Sequence, residues 1–268
     1  MAPFANSFYD DRLYKFVFEE AGNIAYGEEK AKEYRDITTN FMIKLLEYRD
    51  DFADLAYDTR YTYSDKMTKD ILYDLSVLEF PIGEWQYYRN FSALEKCLKM
   101  SDDDLEAKKN AFYKIYSSQS PISSLEFGGE YQPYYIQAYR ELGNYCHDTS
   151  YLEAAIKESG SDAKLVLTEA TAITAFENSC ISTEMASKLP RLELMGPKIE
   201  KFLKETDCNF ILIYGASDPW YSIRPEDPVD NPHVKIYVNE RLTHDAGVSN
   251  FDNITKNEIL NYIHQIID

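Results

Sequence analysis

Asn209-Phe-Ile-Leu-Ile-Tyr-Gly-Ala-Ser-Asp218-Pro-Trp220, followed after a Pro- and Asp-rich loop by Val234-Lys-Ile-Tyr-Val238, decides the fold class of this chain. Both open with a short apolar run bounded by turn residues, the pattern of a buried strand in a parallel sheet. A helix is read from Met195 to Glu205, ahead of the first run. Behind the second, Ile254, Ile259, Leu260, Ile263 and Ile267 mark an amphipathic helix over Asn253 to Ile267. Helix, strand, loop, strand, loop, helix is an α/β order. Two strands do not make a stable, doubly covered parallel sheet, so more strands must come from elsewhere. Only Met1 to Phe4 looks like another strand end, and the expected fold is therefore α/β with only the last strands of its parallel sheet present.

Upstream, from Asp11 to about Glu158, helical patterning dominates, as in the face formed by Phe41, Leu45, Tyr48, Phe52 and Leu55. Breaks are expected at Gly22, around Tyr61 to Asp65, and at Pro81, Ser101, Pro121, Gly128-Gly129, Pro133 and Gly143. Ser101, ahead of three aspartates, has the chemistry of a helix N-cap. The implied organisation is residues 1–10 as a strand end and linker, 11–194 as a helical region, and 195–268 as the α/β segment. With 23 Tyr and 14 Phe in 268 residues, tyrosine supplies much of the helix-packing material.

Charge limits the partners. Against 46 acidic residues stand 28 Lys and Arg, a net −18. Such a surface disfavours nucleic acid and anionic membranes and attracts cationic groups, peptide amino termini among them. Cys97, Cys146, Cys180 and Cys208 have no CxxC spacing, which argues against a zinc or dithiol centre and leaves one or two disulfides open. No metal or cofactor is implied. The N-terminus lacks the pattern of an export signal, and no apolar stretch of about 18 residues occurs.

The chemistry sits where the two strands end. Gly215 begins a turn that carries Asp218 from the C-terminal edge of the sheet, and the loop after the second strand brings His244 to the same edge. An isolated Asp-Pro commonly starts a turn, and a lone histidine commonly caps a loop. The shared strand-end position sets this pair apart, because an acid and then a histidine is the second half of the Ser…Asp…His order of α/β hydrolases. His147 and His233 fall in polar loops and His264 on the last helix. A nucleophile elbow, Gly-x-Ser-x-Gly, is missing. Ser217 stands before Pro219 without a following helix, Ser76, Ser92 and Ser123 lie in or beside helical segments, and Cys180 has no strand ahead of it.

Three motifs carry a family resemblance: Gly215-x-x-Asp218-Pro-Trp220, Val77-Leu-Glu-Phe-Pro-Ile-Gly-Glu-Trp-Gln-Tyr87 and Tyr134-Tyr-Ile-Gln-Ala-Tyr-Arg-Glu-Leu-Gly143. Together they resemble segments of the bacterial tripeptidyl-aminopeptidase-like serine peptidases, which are α/β hydrolases with a large helical cap inserted before the acid-bearing strand. Met1-Ala-Pro-Phe-Ala-Asn resembles the strand end that follows that family's serine. The resemblance implies an incomplete α/β-hydrolase fold with a helical cap, Asp218 as triad acid, His244 as triad base, and a serine on a missing N-terminal segment. The histidine loop departs from the family's glycine-rich form. It further implies export and the release of short peptides from free N-termini, with Glu79 and Glu141 as candidate ligands for the substrate ammonium. Trp85, Tyr87, Tyr134, Tyr135 and Trp220 are candidate pocket walls, with cap-to-core packing as their alternative role. By itself the chain is expected to be inactive. A non-catalytic peptide-binding module, and an esterase or prolyl aminopeptidase of the same fold, are the competing readings.

Overall fold

The protein is described by a computed structural model covering residues 4–56, 63–119, 132–225 and 230–267. A two-residue strand, β1 (Tyr9–Asp10), leads into α1 (Arg12–Glu19), α2 (Asn23–Tyr26), α3 (Glu28–Glu47), α4 (Arg49–Ala56), α5 (Lys69–Gly83), α6 (Phe91–Leu98) and α7 (Leu105–Gln119). α8 (Gln132–Gln137) runs on as a π-helical turn to Leu142 and into β2 (Asn144–Tyr145), followed by α9 (Ser150–Ser159), α10 (Glu169–Ala172), α11 (Ala175–Cys180) and α12 (Thr183–Lys188). β1 and β2 pair in parallel, a contact too short to leave a strand pattern in the sequence.

The apolar face read along residues 41–55 is split between α3 and α4 at Tyr48. Phe41, Leu45, Tyr48 and Phe52 are buried, whereas Leu55 is exposed. Phe41 stacks on Phe80 and on Phe112, with ring centroids 5.1 Å and 4.5 Å apart, joining α3, α5 and α7 in one core. Gly22 and Gly143 break the chain as expected, at φ +83° and +76°. Ser101 accepts the Asp103 N–H at 3.1 Å, as its cap reading required. Pro121, Gly128-Gly129, and Tyr61 in the Tyr61 to Asp65 break lie outside the described residues. Pro133 falls in the first turn of α8, where a missing N–H costs nothing.

Pro81 corrects the sequence reading, because α5 continues through it. A proline forfeits one hydrogen bond to the preceding turn. Here every residue from Leu72 to Ile82 is buried, and packing holds the helix despite that loss. Regularity gives way further on: Glu84–Tyr88 form a π-helical turn, closed by Arg89 N–H donating to the Glu84 carbonyl at 2.8 Å. Arg89, at φ +48°, is the one non-glycine with positive φ among the described residues.

The C-terminal segment is α13 (Met195–Glu205), β3 (Phe210–Gly215), β4 (Val234–Asn239) and α14 (Asn253–Ile267). β3 and β4 are parallel over six pairs, from Phe210↔Val234 to Gly215↔Asn239. Phe210, Leu212 and Val234 face α13, where they meet Ile199, Leu203 and Phe4. On the opposite face Tyr237 donates to Glu258 of α14. Met1 to Pro3 lie outside the described residues, and Phe4 is in a turn rather than a strand. Among the described residues β3 and β4 pair only with each other, and Phe210 to Tyr214 are only half-buried. The expected α14 stripe is only partly used: Ile259 is fully buried, but Ile254 is 83% exposed, because two strands offer the helix too little surface. The fold is thus largely helical with short parallel strand pairs, compatible with the α/β class. None of the four cysteines is paired. Among the described residues no helix is long and apolar enough to cross a membrane.

Candidate functional site

Asp218 and His244 meet at the C-terminal ends of β3 and β4. His244 Nδ1 lies 2.9 Å from Asp218 Oδ2. A carboxylate oxygen is the acceptor, so Nδ1 carries the proton and Nε2 presents its lone pair away from the acid. Asp218 Oδ1 accepts the Trp220 N–H at 3.1 Å, as the cap of a short 3-10 turn over Pro219–Ile223. With one oxygen held by that cap, the other is aimed at the histidine. Asp218 is nearly buried and the His244 side chain is 41% exposed.

The two loops are laced together beyond the last strand pair. Ala216 N–H donates to Asn239 O at 2.9 Å and Ser217 N–H to Leu242 O at 3.1 Å. Gly215 explains the glycine that opens the acid turn, since a Cβ there would lie 2.2 Å from the Thr243 carbonyl oxygen. Only glycine lets β3 press this closely on the histidine loop.

A second polar cluster is buried in the helical region. Glu79, 7% exposed, accepts from Tyr145 Oη at 2.9 Å and 2.8 Å on its two oxygens, and from His147 Nε2 at 2.6 Å. His147 is fully buried rather than in a polar loop, and its Nδ1 has no partner. Burial raises the Tyr134 phenol to about 12, with smaller contributions from Cys180 and then Glu79. Burial likewise pushes the Cys180 thiol up to about 12, which makes it a poor nucleophile. The Tyr145 ring packs edge-on against Trp220, centroids 5.5 Å apart, so the cluster reaches the acid loop through one aromatic contact.

Other sequence candidates fall in varied surroundings. Glu141 is half-buried and accepts from Gln137 at 3.1 Å. Trp85 is fully buried against Phe91 and has no surface for a ligand, which is the packing role. Tyr135 packs on Phe176 in the core, whereas Tyr87 is exposed beside His244. Ser76 is buried and bonded to Tyr73 O, Ser92 is exposed on α6, and Ser123 lies outside the described residues. The Ser217 hydroxyl is buried without a partner. Among the described residues no serine or cysteine hydrogen-bonds to His244. Tyr145 was missed, and His147 was read as a polar-loop residue, because a Tyr-Cys-His run has no helical period, and their contacts exist only once α5 brings Glu79 to them.

No protein-family model, curated protein or solved structure matches this chain.

Proposed function

We propose that this chain supplies the acid and base of an α/β-hydrolase-type serine peptidase, an aminopeptidase that releases short peptides from free N-termini. The carrying observation is the 2.9 Å Asp218–His244 hydrogen bond at the ends of adjacent parallel strands. In this reading Nε2 of His244 takes the proton of an attacking serine hydroxyl as its oxygen bonds to the scissile carbonyl carbon. The same proton then passes to the leaving amine as the C–N bond breaks. Asp218 keeps the imidazole in the tautomer this requires and offsets its charge once protonated. The serine comes from a segment carrying further strands beside β3, whose outer edge is unpaired among the described residues.

Recognition of a substrate ammonium is assigned to the acidic helical region. Glu79 is two contacts from the acid loop, through Tyr145 and Trp220. Its oxygens are already engaged, so its contribution is a negative potential rather than a direct ligand bond. Glu141 retains a half-exposed carboxylate for direct contact. Export is part of the same proposal and rests on the resemblance alone.

The second reading, a non-catalytic peptide-binding module, is favoured by the lack of a nucleophile bonded to His244 among the described residues. A fluorophosphonate probe separates the two. Labelling of a serine in a version extended upstream, but not in these 268 residues, supports the peptidase. Absence of labelling in both, together with peptide binding by the chain alone, supports the module. Free tripeptide substrates should be cleaved and N-acetylated ones spared, whereas an esterase would not discriminate by the amino terminus.

A further inference from the structure

Beyond Asp218, the described contacts that fix the His244 ring and its backbone N–H come from one place, the π-helical turn Glu84–Tyr88 at the end of α5, whose cap is Arg89. Gln86 contributes its carbonyl, which accepts the His244 N–H at 3.5 Å. Tyr87 contributes its ring, which meets the imidazole edge-on with centroids 5.3 Å apart at 74°. Arg89 contributes its guanidinium, which donates to Arg241 O at 3.2 Å and so holds the start of the histidine loop.

This turn is itself locked. Glu84 is fully buried and accepts the Asn90 N–H, closing the left-handed corner at Arg89. Trp85 is buried against Phe91 and beneath Gly22, where a Cβ would fall 2.6 Å from its ring. Gln86 Nε2 also donates to Tyr87 Oη at 3.1 Å, a bond between neighbours on the turn that does not touch His244. A π-helical turn adds a residue to a helical corner and is frequently kept at functional sites. Here Gln86 and Tyr87, both on the turn, meet the same loop.

We infer that the π-helical turn Glu84–Tyr88, with its cap Arg89, is the positioning element for His244, and that Tyr87 is the positioning residue that sets the imidazole plane. The inference rests on His244 being a base oriented by Asp218. A hydrogen bond through Nδ1 alone leaves the ring free to swing about that bond. An aromatic ring against one edge, with the backbone pinned beside it, removes that freedom and fixes where Nε2 points. Orientation of this kind is what turns a histidine near a reaction centre into an effective base. Tyr87 acts through His244 and needs no contact with substrate.

The test uses the whole chain and needs no substrate. The His244 Nδ1 proton, held by a carboxylate, gives a downfield proton resonance whose exchange with water is measured by NMR and assigned by its loss in Asp218→Ala. Tyr87→Ala should speed that exchange roughly three- to tenfold, the range set by losing one aromatic contact, while Tyr87→Phe keeps the wild-type rate. Arg89→Gly should also speed it, because the left-handed corner remains but the tie to Arg241 is lost. Tyr87 is 58% exposed, so Tyr87→Ala should leave the melting temperature within a degree or two, as for an ordinary surface substitution. Unchanged exchange in Tyr87→Ala overturns the positioning role and leaves the Asp218–His244 pair standing. A wild-type spectrum without the resonance overturns both.

Discussion

Replacing Glu84 by Gln should change the pH dependence of stability in a direction opposite to that of an ordinary surface carboxylate. Burial raises the Glu84 carboxyl from 4.5 to about 7, against the smaller opposing effects of the Asn90 N–H and the Gln119 side chain. Neither of those partners is charged, so no opposite charge offsets the burial of the carboxylate. Glu84 Oε2 and Gln119 Oε1 are both buried without partners, and a protonated Glu84 can donate where the carboxylate can only accept. In the unfolded chain the group ionises near 4.5. Between that value and about 7 the folded protein holds more protons than the unfolded one, so stability falls as pH rises through this window and levels off above it. At about 1.4 kcal/mol for each tenfold in proton affinity, the loss is on the order of 3 kcal/mol. Glu84→Gln removes the ionisation. The difference in unfolding free energy, variant minus wild type, should therefore climb by about that amount between pH 4 and pH 8 in urea titrations. Any fixed cost of the amide cancels, being equal at both ends. A difference that stays flat across the window would show that Glu84 is solvated or charge-paired, and that the π-helical turn is not closed by a buried neutral acid.

Gly215→Ala should drive a methyl group into the Thr243 carbonyl, costing roughly 1–3 kcal/mol by overpacking and abolishing the His244 Nδ1 resonance; thermal unfolding and NMR check both. Glu79→Ala strips the acceptor from Tyr145 and His147 and should destabilise by roughly 2–5 kcal/mol, whereas Glu141→Ala should stay within about 0.5 kcal/mol. Urea unfolding of the two variants side by side distinguishes a structural carboxylate from a surface one. In a version that carries the nucleophile, Asp218→Asn should lower kcat by about 10³–10⁴ with little change in KM, because the tautomer is lost and the pocket is kept. A comparable loss on Glu141→Gln would show that ammonium capture also acts on the chemical step.

What was legible in the sequence follows from how local each cause is. β3, β4, α13 and α14 appear at their expected places because an apolar run between turn residues, or an apolar residue every third or fourth position, is a property of neighbours along the chain. The pairing of Asp218 with His244 was legible for a similar reason: parallel strands force the loops after them to one edge. Pro81 misled because its local penalty was outweighed by burial along α5, a cost met by residues distant in sequence. Ile254 misled in the opposite sense: the periodicity was present, but too little sheet lies beneath α14 to use it.

The tie between the helical region and the histidine loop belongs to the illegible class, and its position explains why. Gln86 and Tyr87 reach His244 only because the helix widens over Glu84–Tyr88 and turns left-handed at Arg89. Neither feature has a sequence signature, since π-helical turns share their composition with α-helices and an arginine at positive φ runs against local preference. Such a corner persists only where its surroundings over-determine it, and the buried Glu84, Trp85 and Phe91 do so here. The left-handed corner is tied directly to the histidine loop, through Arg89 donating to Arg241 O. The helical region therefore meets the loop that carries the Asp218 partner through this one corner. That meeting makes Tyr87, rather than the more prominent Glu79, the residue whose loss should be felt at the base.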